Sequence, residues 1–334
     1  MEHSQIKKDT LKRLFGALCS EVSLSRAALS EKCSLSVMTV GKAVDLLTDM
    51  GLVSQRLAPS NGTGRRARRA EIKKDRYICI YSLTRKSFTM ELCELNGKVQ
   101  MTCRRHVASQ LDYERELYTF CHDALTQIAT RFNREKLIGC GFIAQGKRGG
   151  NDKSFDIDIR SVILSLPKDL FPGNIFTVFT GAESALFDYS EKAENGSKCL
   201  ALLCNNGLHT CYFMGGDTEF RIKNCGKLPY NESTDLITFL KSCRDPQMVA
   251  DIIAELIFFA VSMVHTDKVI LSSSIYSNAD LFNGLVRERL ALMCDKSSSQ
   301  MPKVECDSTF SASTNGMRMR ILREWFDKEI SKLY

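Results

Sequence analysis

The feature that most constrains the fold of this chain is a pair of short helical segments separated by only three residues. Residues 26–33 are rich in alanine and other helix formers, and Ser25 is placed to cap them. The second segment begins at Val37, directly after a candidate cap at Ser36. Together with an amphipathic segment over residues 6–20, this spacing predicts a helix-turn-helix.

A β-hairpin is predicted directly after the third helix. Residues 52–57 alternate like a strand, residues 59–64 are rich in turn residues, and residues 65–72 return as a second strand. Glycines in such a hairpin let the backbone approach a duplex, and arginines reach phosphates or a narrow minor groove. The competing interpretation is a three-helix bundle used only for packing.

Charge is distributed unevenly along the chain. The net charge is +7, from 46 Lys and Arg against 39 Asp and Glu. Residues 1–76 hold 15 basic and 8 acidic side chains, which leaves 31 of each for residues 77–334. The whole positive excess therefore lies in the first quarter, which favours a polyanionic partner, most often nucleic acid. A solvated basic loop is the alternative interpretation.

The predicted DNA-contacting residues lie at the start of the third helix and along the hairpin. Small polar and basic side chains there suit phosphates and base edges in a major groove. The set is Ser36, Val37, Thr39, Lys42, Arg56, Gly64, Arg65, Arg66, Arg68 and Arg69. Double-stranded DNA is the predicted partner.

Composition argues against several other classes of protein. A chain of 334 residues with 44% hydrophobic positions can bury a sizeable core. Apolar runs such as residues 256–264 are shorter than the roughly 18 residues that a membrane span needs, and the first 20 residues lack the apolar region of a signal peptide. The 14 cysteines are scattered, without short repeated spacings. They predict reduced thiols in a cytoplasmic protein with no membrane partner.

Strands and helices alternate through the rest of the chain. Residues 78–83, 88–95 and 98–106 predict three consecutive strands, with a tight turn at Asn96-Gly97. Further helices are predicted over residues 111–132, 182–189, 249–264 and 317–333, and further strands over 137–143, 175–179, 200–204, 210–214 and 268–271.

These motifs and their order resemble the ROK family of repressors and sugar kinases. LSRAALS at 24–30, LSVMTVGK at 35–42, MGLV at 50–53 and GRR at 64–66 resemble the DNA-reading head of the repressors. The resemblance implies an α/β fold, with an N-terminal winged helix-turn-helix followed by a two-lobed actin-like ATPase (sugar-kinase-like) fold. It places the head at 1–76, the first lobe at 77–190 with helix 317–334 packing back on it, and the second lobe at 191–316.

The catalytic motifs of the family are missing from the matching positions. The first phosphate loop of the family has an acidic residue and glycines, and residues 82–87 have neither. The family's Asn-Asp pair, whose Asp takes the sugar hydroxyl proton, corresponds to Thr180 and Gly181. Cys225 and Cys243 lie too far apart for the short-spaced cysteines of a zinc loop. The chain is therefore predicted not to be an enzyme, with no catalytic residue, no cofactor and no metal.

The residues and the resemblance leave three functions open. The first is a homodimeric repressor whose degenerate body senses a sugar or sugar phosphate in a cleft that contains Gln145, Thr180, Glu183, Asn205 and Asn206. The second is a sugar kinase with a fused DNA-binding head. The third is a dimeric DNA-binding scaffold that responds to no ligand, which the sequence does not separate from the first.

Overall fold

The computed structural model divides the chain into two compact units, which are Met1–Val178 with Met317–Tyr334, and Phe179–Gly316. It describes residues 8–19, 21, 23–57, 68–144, 158–171, 175–193, 196–204, 208–214, 223–224, 236–273, 279–297, 300–307 and 314–332. The division differs from the boundaries expected at residues 76 and 190, because the N-terminal segment and the first lobe fall in one unit.

Three helices and a small sheet form the N-terminal module, which we define as residues 8–72. Its elements are α1 (Lys8–Cys19), β1 (Leu24–Ser25), α2 (Arg26–Cys33), α3 (Val37–Asp49), β2 (Val53–Leu57) and β3 (Arg68–Ile72). Strand β3 lies between β1 and β2 and is antiparallel to both. Leucines and valines at helical spacing, including Leu14, Val44 and Leu47, are completely buried and hold the three helices together.

A five-stranded sheet forms the centre of the first unit. Its strands are β4 (Tyr77–Leu83), β5 (Ser87–Glu94), β6 (Val99–His106), β7 (Leu137–Ala144) and β8 (Phe176–Thr180), in the order β6-β5-β4-β7-β8. The predicted run of three antiparallel strands is confirmed, and Gly97 adopts a φ of 91° in the tight turn between β5 and β6.

One face of this sheet is covered by helices α4 (Tyr113–Arg131) and α5 (Ile159–Ser165). Its core is aromatic, and Tyr81 stacks on Phe142 with ring centroids 4.7 Å apart. Helix α5 was not predicted from the sequence.

Helix α10 (Thr314–Ser331) packs against β7 at Gly139 and Gly141, two positions of the strand that carry no side chain. A Cβ atom at Gly141 would lie 2.5 Å from Sδ of Met317, and one at Gly139 would lie 3.0 Å from Cγ2 of Ile321. Met317 and Ile321 are completely buried. The two glycines therefore permit a close approach between strand and helix.

Helix α10 also contacts the N-terminal module. Phe15 of α1 packs against Trp325 and Phe326, and the guanidinium of Arg76 lies 5.1 Å from the centroid of the Trp325 ring. These contacts explain why the module belongs to the first unit.

The second unit contains a mixed sheet with helices. Its elements are α6 (Gly181–Lys192), β9 (Lys198–Cys204), β10 (Leu208–Met214), β11 (Lys223–Asn224), α7 (Leu236–Ser242), α8 (Pro246–Met263), β12 (Lys268–Ser273), α9 (Ala279–Ser297) and β13 (Lys303–Asp307). The strand order is β11-β10-β9-β12-β13, and β12 is parallel to both of its neighbours. Elements α7, α9, β11 and β13 were not predicted.

Helix α8 is apolar on two faces. Val249, Ile253 and Ile257 are completely buried in the core of the second unit. On another face lies the α8 stripe, which we define as Met248, Phe259 and Met263 and whose side chains are 46%, 66% and 85% exposed. Among the described residues, α8 is the one helix long and apolar enough to cross a membrane.

The packing of α8 nevertheless fits a helix of a folded lobe. Its Asp251 and Glu255 carboxylates lie 3.7 Å and 3.8 Å from guanidinium nitrogens of Arg289 in α9. Ion pairs of this kind, beside a buried apolar face, are typical of two packed helices in water.

The structure describes the side chains of ten cysteines; none of these ten forms a disulfide, and eight of them are buried. Burial raises the pKa of the Cys93 thiol to about 12 and also raises the pKa of Cys121. The thiols of Cys93 and Cys121 therefore stay protonated at neutral pH and pack as small apolar side chains.

Candidate nucleic-acid interface

The turn between α2 and α3 is built from local hydrogen bonds. Ser34 adopts the left-handed conformation with a φ of 50°, and the Leu35 amide donates to the Ser30 carbonyl at 3.0 Å. Both predicted caps are confirmed: Ser25 Oγ accepts from the Ala28 amide at 3.1 Å, and Ser36 Oγ accepts from the Thr39 amide at 3.1 Å. Each helix therefore starts at the predicted residue.

A network centred on Arg26 fixes α3 against its neighbours. The Arg26 guanidinium donates to Oδ1 of Asp45 in α3 at 2.6 Å and to Oε1 of Gln55 in β2 at 3.3 Å. Nε2 of Gln55 donates to the same Asp45 oxygen at 3.1 Å. Gly41 lies at the crossing point, where a Cβ atom would come within 3.2 Å of Nη1 of Arg26. The network joins two helices and the hairpin, and the sequence analysis missed it.

The first turn of α3 is open to solvent. Four of the predicted DNA-contacting residues lie here or one turn later, and of these Ser36, Val37 and Lys42 are exposed and Thr39 is half-buried. Their neighbours Val40 and Val44 face the module core. The side chains selected from the sequence therefore share an accessible surface.

The hairpin brings two arginines directly opposite each other. Arg56 of β2 and Arg69 of β3 are register partners, and both are exposed, as is Arg68. Nη2 of Arg69 donates to the Ser23 carbonyl at 2.8 Å, which holds that side chain along the strand. Gly64, Arg65 and Arg66 lie outside the described residues.

Glu71 was not singled out by the sequence analysis, yet it positions one of the arginines. Its side chain is almost fully buried, and Oε1 lies 2.5 Å from Nε of Arg56. Nη1 and Nη2 of Arg56 are not part of this ion pair, and the Arg56 side chain remains 70% exposed. Glu71 is the one acidic residue between Arg56 and Lys74 in the sequence. A single carboxylate in a basic segment could have indicated that it pairs with one of the arginines.

The module thus offers a helix terminus with exposed side chains next to a basic hairpin. Backbone and side-chain donors at a helix start, together with arginines, are groups that contact phosphates and base edges. The exposed start of α3 and the basic hairpin are therefore suited to bind a polyanion that has a groove.

In the body, the turn that corresponds to the first phosphate loop is closed on itself. Oγ1 of Thr84 accepts hydrogen bonds from the Lys86 amide at 3.2 Å and from the Ser87 amide at 2.9 Å. A phosphate cradle needs such amides directed at the ligand. Tyr113 additionally donates its hydroxyl to the Thr84 carbonyl at 2.9 Å. The amides of this turn are therefore occupied by the chain itself.

Thr180 and Glu183, two residues of the predicted cleft, form the capping box of α6. The Glu183 amide donates to Oγ1 of Thr180 at 3.1 Å, and the Thr180 amide donates to Oε2 of Glu183 at 2.6 Å. The Glu183 carboxylate is therefore engaged at the start of the helix. The other three cleft residues, Gln145, Asn205 and Asn206, lie outside the described residues.

Within the described part of the chain, no three His, Cys, Asp or Glu side chains come together as ligands for a metal ion.

No protein-family model and no curated sequence matches this chain. Solved structures are similar to it. A ROK family transcriptional regulator, described as a homologue of the E. coli MLC protein, matches 95% of this chain and 97% of its own length, with a TM-score of 0.60 and 12% identity.

Two further solved structures match a smaller part of the chain. A putative sugar kinase from Cytophaga hutchinsonii matches 74% of this chain and 99% of its own, with a TM-score of 0.51 and 13% identity. A ROK family protein from Streptococcus pneumoniae in complex with sucrose matches 76% of this chain and 99% of its own, with a TM-score of 0.50 and 10% identity. The chain therefore has the mixed α/β, actin-like sugar-kinase fold of ROK proteins.

Proposed function

We propose that this protein is a DNA-binding transcriptional regulator of the ROK type that acts as a repressor in the cytoplasm. The observation that carries the proposal is the exposed first turn of α3 beside the opposed Arg56 and Arg69, in the part of the chain that holds the whole positive excess. The similarity to a ROK regulator over 95% of the chain supports it.

In this proposal the N-terminal module is a winged helix-turn-helix. Helix α3 enters the major groove with its first turn, and the β2–β3 hairpin is the wing. Lys42 and Arg68 contact phosphates, and the arginines of the wing, with Arg65 and Arg66 at its centre in the sequence, reach the backbone or the minor groove. The Arg26 network holds α3 at a fixed angle to the wing.

We also propose that the protein pairs as a homodimer, because a symmetric pair reads two half-sites at a fixed spacing. The α8 stripe supports this, since three large apolar side chains exposed on one helix face are typical of an interaction surface.

The body is proposed to be catalytically inactive. Gly181 offers no carboxylate at the position of the base, Glu183 is engaged in a helix cap, and the amides of the Thr84 turn are occupied. The alternative, a sugar kinase with a fused DNA-binding head, is favoured by the similarity to a putative sugar kinase. An assay of ADP formation from ATP with mixed hexoses separates the two: a kinase transfers the γ-phosphoryl group to the sugar and forms ADP in a sugar-dependent way, and an inactive body does not.

The proposed effector is a sugar or sugar phosphate, which the sucrose complex of a similar ROK protein supports. An effector would act by binding one arrangement of the dimer better than another. A thermal-shift screen with sugars and sugar phosphates tests this. A response to one of them supports sensing, and unchanged melting with all of them supports the ligand-independent scaffold.

The proposed DNA contact is tested by fluorescence anisotropy with a duplex that carries the preferred site, over a series of salt concentrations. Arg65→Ala/Arg66→Ala is expected to weaken binding and to make the dependence of log affinity on log salt shallower by about 2 for each protomer bound. Lys86→Ala/Lys98→Ala, at two exposed positions of the first unit, is the charge-matched control and is expected to leave the slope unchanged. An unchanged slope in the double variant would show that the wing does not contact DNA phosphates.

A further inference from the structure

Two apolar side chains lie exposed at the very start of α3. Val37 is 55% exposed and Met38 is 75% exposed, whereas Val40, Val44 and Leu47 of the same helix are completely buried. The exposed pair therefore contributes nothing to the core of the module. Exposure of both first-turn residues places two apolar groups at the end of the helix that the proposed function directs at DNA.

The polar side chains near this pair are engaged inside the module. Oγ of Ser36 and Oγ1 of Thr39 lie 2.8 Å apart and share a hydrogen bond. One turn beyond Lys42, the Asp45 carboxylate accepts from Arg26 and Gln55. In the bond between Ser36 and Thr39 only one hydroxyl donates, which leaves a single hydroxyl hydrogen of the pair for a base edge, and the Asp45 carboxylate already accepts two hydrogen bonds.

Lys42 differs from these polar neighbours. It is exposed, and the described residues provide no ion-pair partner for its ammonium group. A flexible ammonium suits a phosphate and carries little sequence information. The charge of this surface therefore favours a nucleic acid over an apolar protein partner, and Val37 and Met38 are the apolar side chains on it that can distinguish between bases.

We infer that Val37 and Met38 recognise the methyl groups of thymine in the major groove, an inference that rests on the proposed function. Thymine is the one DNA base that presents a methyl group there, and apolar side chains contact it. The protein is then expected to prefer sites with thymines where the first turn of α3 meets each half-site, and to read them by apolar contact rather than by hydrogen bonds.

The test replaces thymine by deoxyuridine, which removes the methyl group and keeps every hydrogen-bonding group. Duplexes carrying the site enriched from a random pool are synthesised with a single thymine replaced in one half-site, at each thymine of that half-site in turn. Wild-type protein is expected to lose about fourfold in affinity at one or two positions, the effect of exposing one buried methyl group. At the other positions the affinity is expected to stay the same.

Variants connect the effect to the two side chains. Val37→Ala/Met38→Ala is expected to bind the thymine and uracil duplexes equally. Lys42→Ala, which leaves the apolar pair intact, is expected to bind all duplexes more weakly and to keep the fourfold difference. Because Val37 and Met38 are exposed, thermal melting followed by circular dichroism is expected to show that the double variant folds like the wild type.

The outcomes distinguish the inference from the proposed function. Sequence-specific binding with equal affinity for every uracil duplex would overturn thymine recognition and leave the regulator standing. A fourfold loss that persists in Val37→Ala/Met38→Ala would assign the methyl contact to other residues and would also overturn the inference. If no site is enriched at all, the proposed function fails and the inference fails with it.

Discussion

The ring of Phe15 in α1 stacks on the ring of Phe326 in α10, with centroids 4.1 Å apart and planes inclined by only 2°. Both side chains are buried. Beside them, Nζ of Lys12 lies 2.6 Å from Oδ1 of Asp327. The N-terminal module is thus attached to the same helix that packs against Gly139 and Gly141 of the first-unit sheet.

Removal of one ring is expected to weaken this attachment. Phe326→Ala should lower the free energy of unfolding of the first unit by about 3–5 kcal/mol, because the lost ring leaves a cavity in a packed contact. Trp325 is the single tryptophan of the chain and its ring centroid lies 6.2 Å from that of Phe15, so its fluorescence during urea unfolding reports on this junction.

A conservative variant provides the control for this measurement. Phe326→Leu keeps most of the volume and is expected to cost less than Phe326→Ala. If Phe326→Ala unfolds at the same urea concentration as the wild type, the stack does not stabilise the junction.

The glycines of β7 are expected to be intolerant of side chains. Gly141→Ala would place a methyl group 2.5 Å from Met317, and the resulting overpacking should lower the free energy of unfolding by about 1–3 kcal/mol. Gly16→Ala in α1 is the matched control, because no atom lies within 4 Å of its added Cβ atom. It is expected to stabilise the protein by up to about 1 kcal/mol, since alanine is the better helix former. Thermal unfolding measures both variants. The explanation would be contradicted if both substitutions lowered, or both raised, the free energy of unfolding.

Lys42, the exposed lysine of α3, is expected to strengthen binding to any DNA sequence and to contribute little to sequence specificity. Lys42→Ala should weaken binding to all duplexes by a similar factor and reduce the slope of log affinity against log salt by about 1 for each protomer bound. Anisotropy titrations with a specific and a scrambled duplex measure both quantities. A loss confined to the specific duplex would show that Lys42 reads bases.

The α8 stripe is expected to control pairing of the protein. Phe259→Glu places a charge in the centre of an apolar interface, and the mass measured by sedimentation equilibrium should fall from that of a dimer to the 37.6 kDa of one chain. Ala129→Glu on the exposed surface of α4 is the control and should leave the dimer intact. If the wild-type protein sediments as a monomer, or if Phe259→Glu leaves a dimer intact, the α8 stripe is not a dimer interface.

The N-terminal module was predictable because its signals are local. Serine caps at positions 25 and 36, apolar residues at helical spacing and a turn with alternating flanks each act within a few residues, and the structure has those helices and strands at nearly the predicted bounds. By contrast, the inclusion of the N-terminal module in the first unit depends on the contact of Phe15 with a helix from the other end of the chain.

The missed features depend on partners that are distant in sequence. The strand that contains Gly139 and Gly141 was predicted, but the reason for glycine at these positions is the packing of α10, which comes from the other end of the chain. Arg56 and Arg69 were selected for charge, but their orientation depends on Glu71 and on the Ser23 carbonyl. In helix α9 the buried residues Phe282, Val286 and Leu290 recur every four positions, but exposed leucines at 281 and 292 obscure this spacing in the sequence.

Selection from a random pool of double-stranded DNA with the purified full-length protein tests the regulator function most directly. We expect enrichment of a palindromic site, with two half-sites spaced by whole helical turns as a paired helix-turn-helix requires. Absence of enrichment at every salt concentration from low to physiological would contradict the function and assign the basic N-terminal module to another partner.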